Sequence, residues 1–330
     1  MRVVITGGAG FLGSRLARAL LARGSVRGSD GEERAIDALV VADVGPPASP
    51  FPDDPRLDVR YGDFSEADAV NQLIDGDTGA VFHLAAIVSG EAEQDFDKGL
   101  RVNLGGTSKL LEACRHRAAC PRLVFASSVA VYGGDMPDVL DDSTPLNPQT
   151  SYGSQKAISE LLVNDYSRKG FVDGRALRLP TIVVRPGKPN AAASSFASSV
   201  LREPLQGDTV DCPVSAKTGV WLLSPRRVVE CFLHAADLDA DAWGANRSLA
   251  LPGMTVTVEE MMQALENVAG EAVAARVRFV PDPFIEKIVY GWATRFRTAR
   301  AEAMGFRADE RFEDVIEAFI EDDLGGTFVK

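Results

Sequence analysis

The strongest constraint on this chain lies in the run Val3-Val4-Ile5-Thr6-Gly7-Gly8-Ala9-Gly10-Phe11-Leu12-Gly13. Arg2 to Thr6 is apolar and nearly continuous, as a buried strand is. Phe11 to Arg23 then shows helical spacing, with Leu12, Leu16, Ala19 and Leu20 on one face. Side chains at Gly7, Gly10 and Gly13 would block a tight turn, the close approach of a phosphate, or the packing of helix against strand. The first helical residues, Phe11 and Leu12, offer unpaired N–H donors to an anion. A strand, a glycine turn and a helix in this order predict a dinucleotide-binding unit of a parallel sheet.

The rest of the first half repeats the alternation. Ala38–Ala42, Leu57–Tyr61, Ala80–Leu84 and Arg122–Ala126 are short apolar runs, and helical patterns occupy Glu66–Ile74 and Val102–Arg117. Strands alternating with helices pair in parallel through right-handed crossovers, so the fold class is α/β, a doubly wound parallel sheet. Polar Gly24–Glu33 and proline-rich Gly45–Pro55 read as exposed loops. Beyond about residue 180 the alternation weakens. Helices are expected near Ala191–Leu201, Pro225–Ala236, Val258–Val268 and Phe312–Ile320, without a self-contained strand pattern. The predicted organisation is a cofactor domain over residues 1–180 and a smaller substrate lobe over 181–330, which returns a strand or helix to the sheet.

Charge and cysteines narrow the partners. The 330 residues carry 35 Lys and Arg against 47 Asp and Glu, a net charge of −12, which disfavours nucleic acid and anionic membrane surfaces. No stretch approaches the roughly 20 apolar residues that span a bilayer. Strand-forming residues begin at position 2, so no cleavable leader is expected. The four cysteines form no CxxC pair and the three histidines are scattered, which predicts reduced thiols, a cytoplasmic protein and no metal.

The chemistry is carried by Tyr152-Gly153-Ser154-Gln155-Lys156 and by Ser128, which follows the strand ending in Phe125-Ala126-Ser127. Residues i and i+4 share a helix face, so Tyr152 and Lys156 point into one cleft. A phenol with a pKa of about 10 is a poor base at neutral pH. A neighbouring ammonium and an oxidised nicotinamide both favour the phenolate and make Tyr152 a usable general base. Asp43, 30 residues beyond Gly13, ends the second strand, where a carboxylate accepts from ribose hydroxyls and repels a 2′-phosphate. NAD is therefore favoured over NADP. Asp63-Phe64 stands where an adenine would lie, and a capping aspartate is the competing reading.

In order along the chain, these motifs resemble the extended short-chain dehydrogenase/reductase family. The matches are the glycine turn, Gly62-Asp63, His83-Leu84-Ala85-Ala86, Asn103 in Val102-Asn103-Leu104-Gly105-Gly106-Thr107, Ser127-Ser128-Val129-Ala130-Val131-Tyr132-Gly133, and Tyr152 with Lys156. The resemblance implies a Rossmann core, with Tyr152 as acid/base, Lys156 on the nicotinamide ribose and Ser128 on the reacting oxygen. It puts Gly7, Gly10, Phe11, Leu12, Gly13, Asp43, Asp63, Phe64, Leu84, Ala85, Ala86, Asn103 and Pro180 around the cofactor, with His83 a structural neighbour. It also implies a homodimer through the helices at 102–117 and 152–168.

Departures from the family pattern narrow the branch. Val129 stands where dehydratases place an acid beside the serine. Thr181 in Leu177-Arg178-Leu179-Pro180-Thr181 replaces an asparagine that nucleotide-sugar epimerases use, and Ser224-Pro225-Arg226-Arg227 replaces their His-Val-x-Asp. Arg178–Ser199 and Trp221–Arg227 instead resemble a branch that oxidises the C2 hydroxyl of D-erythronate, a four-carbon sugar acid, to 2-oxo-tetronate. For such a substrate Arg185, Lys188, Asn190 and Ser194 are candidate ligands, with Ser89, Ser128 and Tyr152, because a carboxylate needs a cation and hydroxyls need polar partners. Arg226 and Arg227 open a helix, where cations oppose the dipole, and so invite an anionic partner or a surface ion pair. A nucleotide-sugar 4-epimerase with tightly bound NAD is the alternative.

Overall fold

The computed structural model describes residues 1–188 and 193–330. Seven strands form the central sheet: β1 Arg2–Thr6, β2 Ala38–Asp43, β3 Leu57–Tyr61, β4 Thr78–His83, β5 Arg122–Ser128, β6 Asp173–Leu179 and β7 Ser248–Ala250. Their spatial order is β3-β2-β1-β4-β5-β6-β7. The order reverses direction at β1, which pairs in parallel with β2 on one side and β4 on the other. In such sheets ligands bind beyond the carboxyl ends of the strands at this switch point. Gly7 and Leu84, the residues directly after β1 and β4, sit there.

Helix α1 (Phe11–Arg23) buries Gly13, Leu16, Ala17, Leu20 and Leu21, an unbroken apolar stripe. It stops at Gly24, whose φ of 75° lets its N–H reach the Leu20 carbonyl. Helix α2 (Ala67–Leu73) follows β3, and a π-helical turn at Leu100–Gly105 leads into α3 (Gly106–Arg117). Helix α4 (Ser151–Arg168) is N-capped by Thr150, whose hydroxyl accepts from the Gly153 N–H at 3.0 Å. Its buried face is unusual for a surface helix in carrying Gln155, Lys156, Ser159 and Glu160.

The chain forms two compact units. The first comprises Met1–Val131, Pro148–Arg178 and Val229–Ala250; the second comprises Tyr132–Asn147, Leu179–Val228 and Leu251–Lys330. In the second, Gly219–Leu223 pairs antiparallel with Met254–Thr257 and parallel with Thr181–Ile182, and Val210–Cys212 pairs with Val277–Phe279. The expectation of a half without its own strands is thus corrected. These strands are two to five residues long, too short to print an alternation. Helices α5 (Ser195–Gln206), α6 (Pro225–Asp237), α7 (Val258–Ala269) and α8 (Phe312–Asp323) match the predicted segments to within a few residues. The core of this unit packs Leu201 and Leu205 with Met261, Leu265, Ile316 and Phe319. Gly24–Glu33 is also corrected: Ser25–Arg27 in it pairs antiparallel with Glu33–Ala35, and Val26 is the buried residue of these two strands.

Behind the sheet, the first unit buries a cluster of charge. Asp173 accepts from Arg122 (3.2 Å), Arg175 (2.6 Å) and Arg247 (3.2 Å). Arg122 also donates to the Ala236 carbonyl, and Arg175 donates to the Ala235 (2.5 Å) and Ala236 (3.2 Å) carbonyls at the end of α6. The negative end of the helix dipole and the aspartate together balance three guanidinium groups. Burial pushes the Arg175 guanidinium down to about 9, against the pull of Asp173. Asp173→Asn leaves two buried arginines short of a counter-charge and is expected to cost about 3–5 kcal/mol, read as a lower urea midpoint. A loss below about 1 kcal/mol would show that the carbonyls alone suffice.

Candidate active site

The glycine turn is built by close contact. A Cβ placed on Gly13 would lie 2.1 Å from the Gly7 carbonyl oxygen, so only glycine lets α1 start so near β1. Gly10 caps α1 without any side-chain hydrogen bond, which leaves the first-turn N–H groups for an anion. Asp43, at the end of β2, accepts from the Ala9 and Gly10 amides through Oδ2, both at 3.0 Å. Its Oδ1 accepts from the Val44 amide at 2.7 Å. A side-chain-free turn, an uncapped helix start and an adjacent carboxylate fit the pyrophosphate and ribose of NAD, and the carboxylate opposes a 2′-phosphate. Leu84 extends β4 by donating to the Thr6 carbonyl at 3.0 Å, and Ala85 and Ala86 follow it, half-buried, along the same edge.

Ser128, Tyr152 and Lys156 belong to the same unit. Ser128 ends β5, and its Oγ accepts from the Ala130 amide at 3.1 Å, which curls the chain into a 3-10 turn over Val129–Val131. The turn presses on the start of α4: a Cβ on Gly153 would lie 2.1 Å from the Ala130 carbonyl oxygen. Tyr152, beside Gly153, is half-buried. Lys156 is only 3% exposed. Its Nζ donates to the Ala126 carbonyl at 2.7 Å and lies 4.7 Å from the Phe125 ring centre and 5.6 Å from that of Tyr152. Burial pulls the ammonium down to about 7, while the Glu160 carboxylate acts to raise it. An ammonium held over a phenol ring favours the phenolate.

A buried hydrogen-bond chain runs behind this set. Thr107 donates its one hydroxyl proton to the Asn103 carbonyl at 2.6 Å, so at 2.9 Å it accepts from His83 Nε2. His83 Nδ1 then accepts from Thr6 at 2.6 Å. Burial, aided by the Lys156 charge, lowers the imidazole to about 3, so His83 is a neutral link between β1 and α3. The Asn103 amide accepts from Ile87 N at 2.9 Å and donates to Gln155 Oε1 at 2.8 Å, which joins the segment after β4 to α4.

Other predicted residues are placed as follows. Asp63 accepts from the Ser65 amide and hydroxyl and from Arg101, which hold its carboxyl down to about 2. Phe64 packs on the sheet core. Ser89 begins a short helix, Ser89–Gln94, and is half-buried. In the second unit Pro180 is buried between two strands, Arg185 Nε donates to the Ile182 carbonyl at 3.2 Å, Lys188 is exposed, and Ser194 precedes α5. Asn190 lies outside the described residues. Arg226 pairs with the protein's own Glu321 (2.8 Å) and Asp322 (2.6 Å), which answers its position at a helix start.

Sequence reasoning missed Glu160. It is 2% exposed, accepts from Ser127 Oγ at 2.5 Å and takes a two-pronged contact from Arg178 (2.7 to 3.1 Å). A signal was present: Tyr152, Lys156 and Glu160 stand four apart on one helix face.

Comparison with known proteins gives the family of the chain. Residues 3–238 match the NAD dependent epimerase/dehydratase family. D-erythronate dehydrogenase of Cupriavidus necator is 54% identical over 322 residues, 98% of each chain. D-erythronate dehydrogenase of Haemophilus influenzae is 47% identical over 98% of this chain and 100% of its own. The crystal structure of a nucleoside-diphosphate-sugar epimerase from Agrobacterium tumefaciens superimposes with a TM-score of 0.93 at 44% identity, over 99% of this chain and 95% of that one. With a glycine turn shaped for a dinucleotide and a family match over most of its length, this chain is a member of the NAD dependent epimerase/dehydratase family.

Proposed function

We propose that the protein is an NAD-dependent dehydrogenase that oxidises the C2 hydroxyl of a four-carbon sugar acid, D-erythronate, to the 2-oxo acid. The observation that carries this reading is the near-full-length identity with two D-erythronate dehydrogenases, which takes in the segments 178–199 and 221–227. NAD, held by the Gly7–Gly13 turn and Asp43, supplies the hydride acceptor when bound. In the proposed reaction Ser128 donates a hydrogen bond to the substrate C2 oxygen. Tyr152, as phenolate, takes the hydroxyl proton as the carbonyl forms. Lys156, in its ammonium form, lowers the cost of that phenolate. Arg185, Lys188, Asn190 and Ser194 are the proposed partners of the substrate carboxylate and hydroxyls, and Ser89 is a further candidate.

Two assays test the reading. Tyr152→Phe is expected to lower turnover by roughly 10²–10⁴-fold while NADH still binds, followed by its fluorescence. Retained turnover removes Tyr152 from the role of base. Mixing NAD with C4–C6 aldonates or with UDP-sugars separates dehydrogenase from epimerase. NADH absorbance is expected to rise with D-erythronate; inversion of a UDP-sugar without net NADH would favour the epimerase.

The assembly we propose is a homodimer through α3, the preceding turn and α4. Leu161 on α4 is 66% exposed, and Ile158 on the same helix and Leu100 on the preceding turn are also exposed. Leu161→Glu is expected to halve the mass seen by light scattering; an unchanged mass rejects this interface. Among the described residues no helix is long and apolar enough to cross a membrane. The four cysteines form no disulfide among the described residues, which supports a cytoplasmic location.

A further inference from the structure

The buried face of α4 carries one charge that the proposed reaction does not use. Tyr152, Lys156 and Glu160 occupy successive turns, and Lys156 and Glu160 reach β5 at different heights. Lys156 takes the Ala126 carbonyl at 2.7 Å, and Glu160 takes the Ser127 hydroxyl at 2.5 Å. Ser128, the next residue, is the one assigned to the reacting oxygen. From β6, Arg178 closes on the same carboxylate with Nε and Nη2.

We propose that Glu160 is a positioning residue of the Ser128–Tyr152–Lys156 set, one that fixes the end of β5 through Ser127 and keeps the buried Lys156 charged. The inference rests on the reading of those three residues given above. The groups around Lys156 can be named element by element. From α4 come Tyr152 and Glu160; from β5, the Ala126 carbonyl and the Phe125 ring; from β4, neutral His83; from β6, Arg178 beyond Glu160. Glu160 is the one anion in that set. Burial disfavours an ammonium, and the Glu160 carboxylate opposes that effect. The same carboxylate satisfies Arg178, so its removal would leave a second cation in the interior.

The sign follows from the proton inventory. A cationic Lys156 favours the phenolate form of Tyr152 over the neutral phenol. Without Glu160, Lys156 gives up its own proton at lower pH and no longer stabilises the phenolate. The pH at which turnover is half developed therefore rises.

The test is the pH dependence of kcat for NADH formation from D-erythronate and NAD, with wild type, Glu160→Gln, Glu160→Asp and Tyr152→Phe side by side. Glu160→Gln is expected to move the acid midpoint up by about 1 pH unit and to lower kcat at pH 7 by roughly tenfold, with KM for D-erythronate little changed. Glu160→Asp keeps the charge and is expected to restore the midpoint with kcat still reduced, since a shorter side chain cannot hold Ser127 and Arg178 together. A wild-type midpoint in Glu160→Gln, whatever its thermal stability, reduces Glu160 to a brace and overturns the proposal. If Glu160→Gln does not fold, the double variant Glu160→Gln/Arg178→Met removes both buried charges. Its midpoint is expected to be raised as well, and an unshifted one overturns the proposal. Normal turnover by Tyr152→Phe would sink the reading of the site itself; a dead Tyr152→Phe beside unshifted Glu160 variants sinks this inference alone.

Discussion

The first unit depends on largely buried charges, paired with partners fixed in the backbone or on a neighbouring strand or helix. Asp173 with its three arginines ties β5 and β6 to the carbonyl end of α6, and Glu160 with Arg178 ties β6 to α4. Stripping one partner from such a pair strands an ion in low dielectric, at a cost of several kcal/mol. The consequence is geometric. A helix seated only by aliphatic side chains can slide by fractions of an ångström as rotamers adjust; one seated by an ion pair and a lysine-to-carbonyl bond cannot. A site that depends on where one phenol and one serine stand gains from being mounted this way.

The second unit is held differently. Its core is a layer of aliphatic and aromatic side chains from α5, α7 and α8. Local capping supplies much of its polar order: Thr257 and Glu260 exchange side-chain and backbone hydrogen bonds at the start of α7. Asp309 takes both the amide and hydroxyl of Ser224, and so fixes the end of the strand that leads into α6. Packing of this kind tolerates substitution when volume is kept.

What could be read in the sequence was what local geometry enforces. The glycines at 7, 10 and 13 report a turn with no space for a side chain, and the fourfold spacing of Tyr152 and Lys156 reports one helix face. The apolar runs gave five of the seven strands of the sheet, β1 to β5, and all of these but the edge strand β3 are largely buried. Pairings that depend on distant segments were not legible. Arg226 looked like an anion site because its partners, Glu321 and Asp322, lie more than 90 residues away. Glu160 looked like an ordinary helix residue because Arg178 and Ser127 reach it only once β5 and β6 are laid side by side. The strands of the second unit, two to five residues long, and the three-residue strands of the Ser25–Ala35 hairpin are too short to leave a pattern.

Asp43 has a consequence for anyone who would redesign the enzyme around the phosphorylated cofactor. The obvious change replaces this acid with a small or basic residue. Yet the same carboxylate oxygen gathers the amides of Ala9 and Gly10, so it is a fastener of the glycine turn as well as the proposed reader of the ribose. Removing it frees two backbone donors and loosens the loop that either cofactor needs. A swap of preference therefore calls for two changes, a new group for the 2′-phosphate and a new acceptor for the turn.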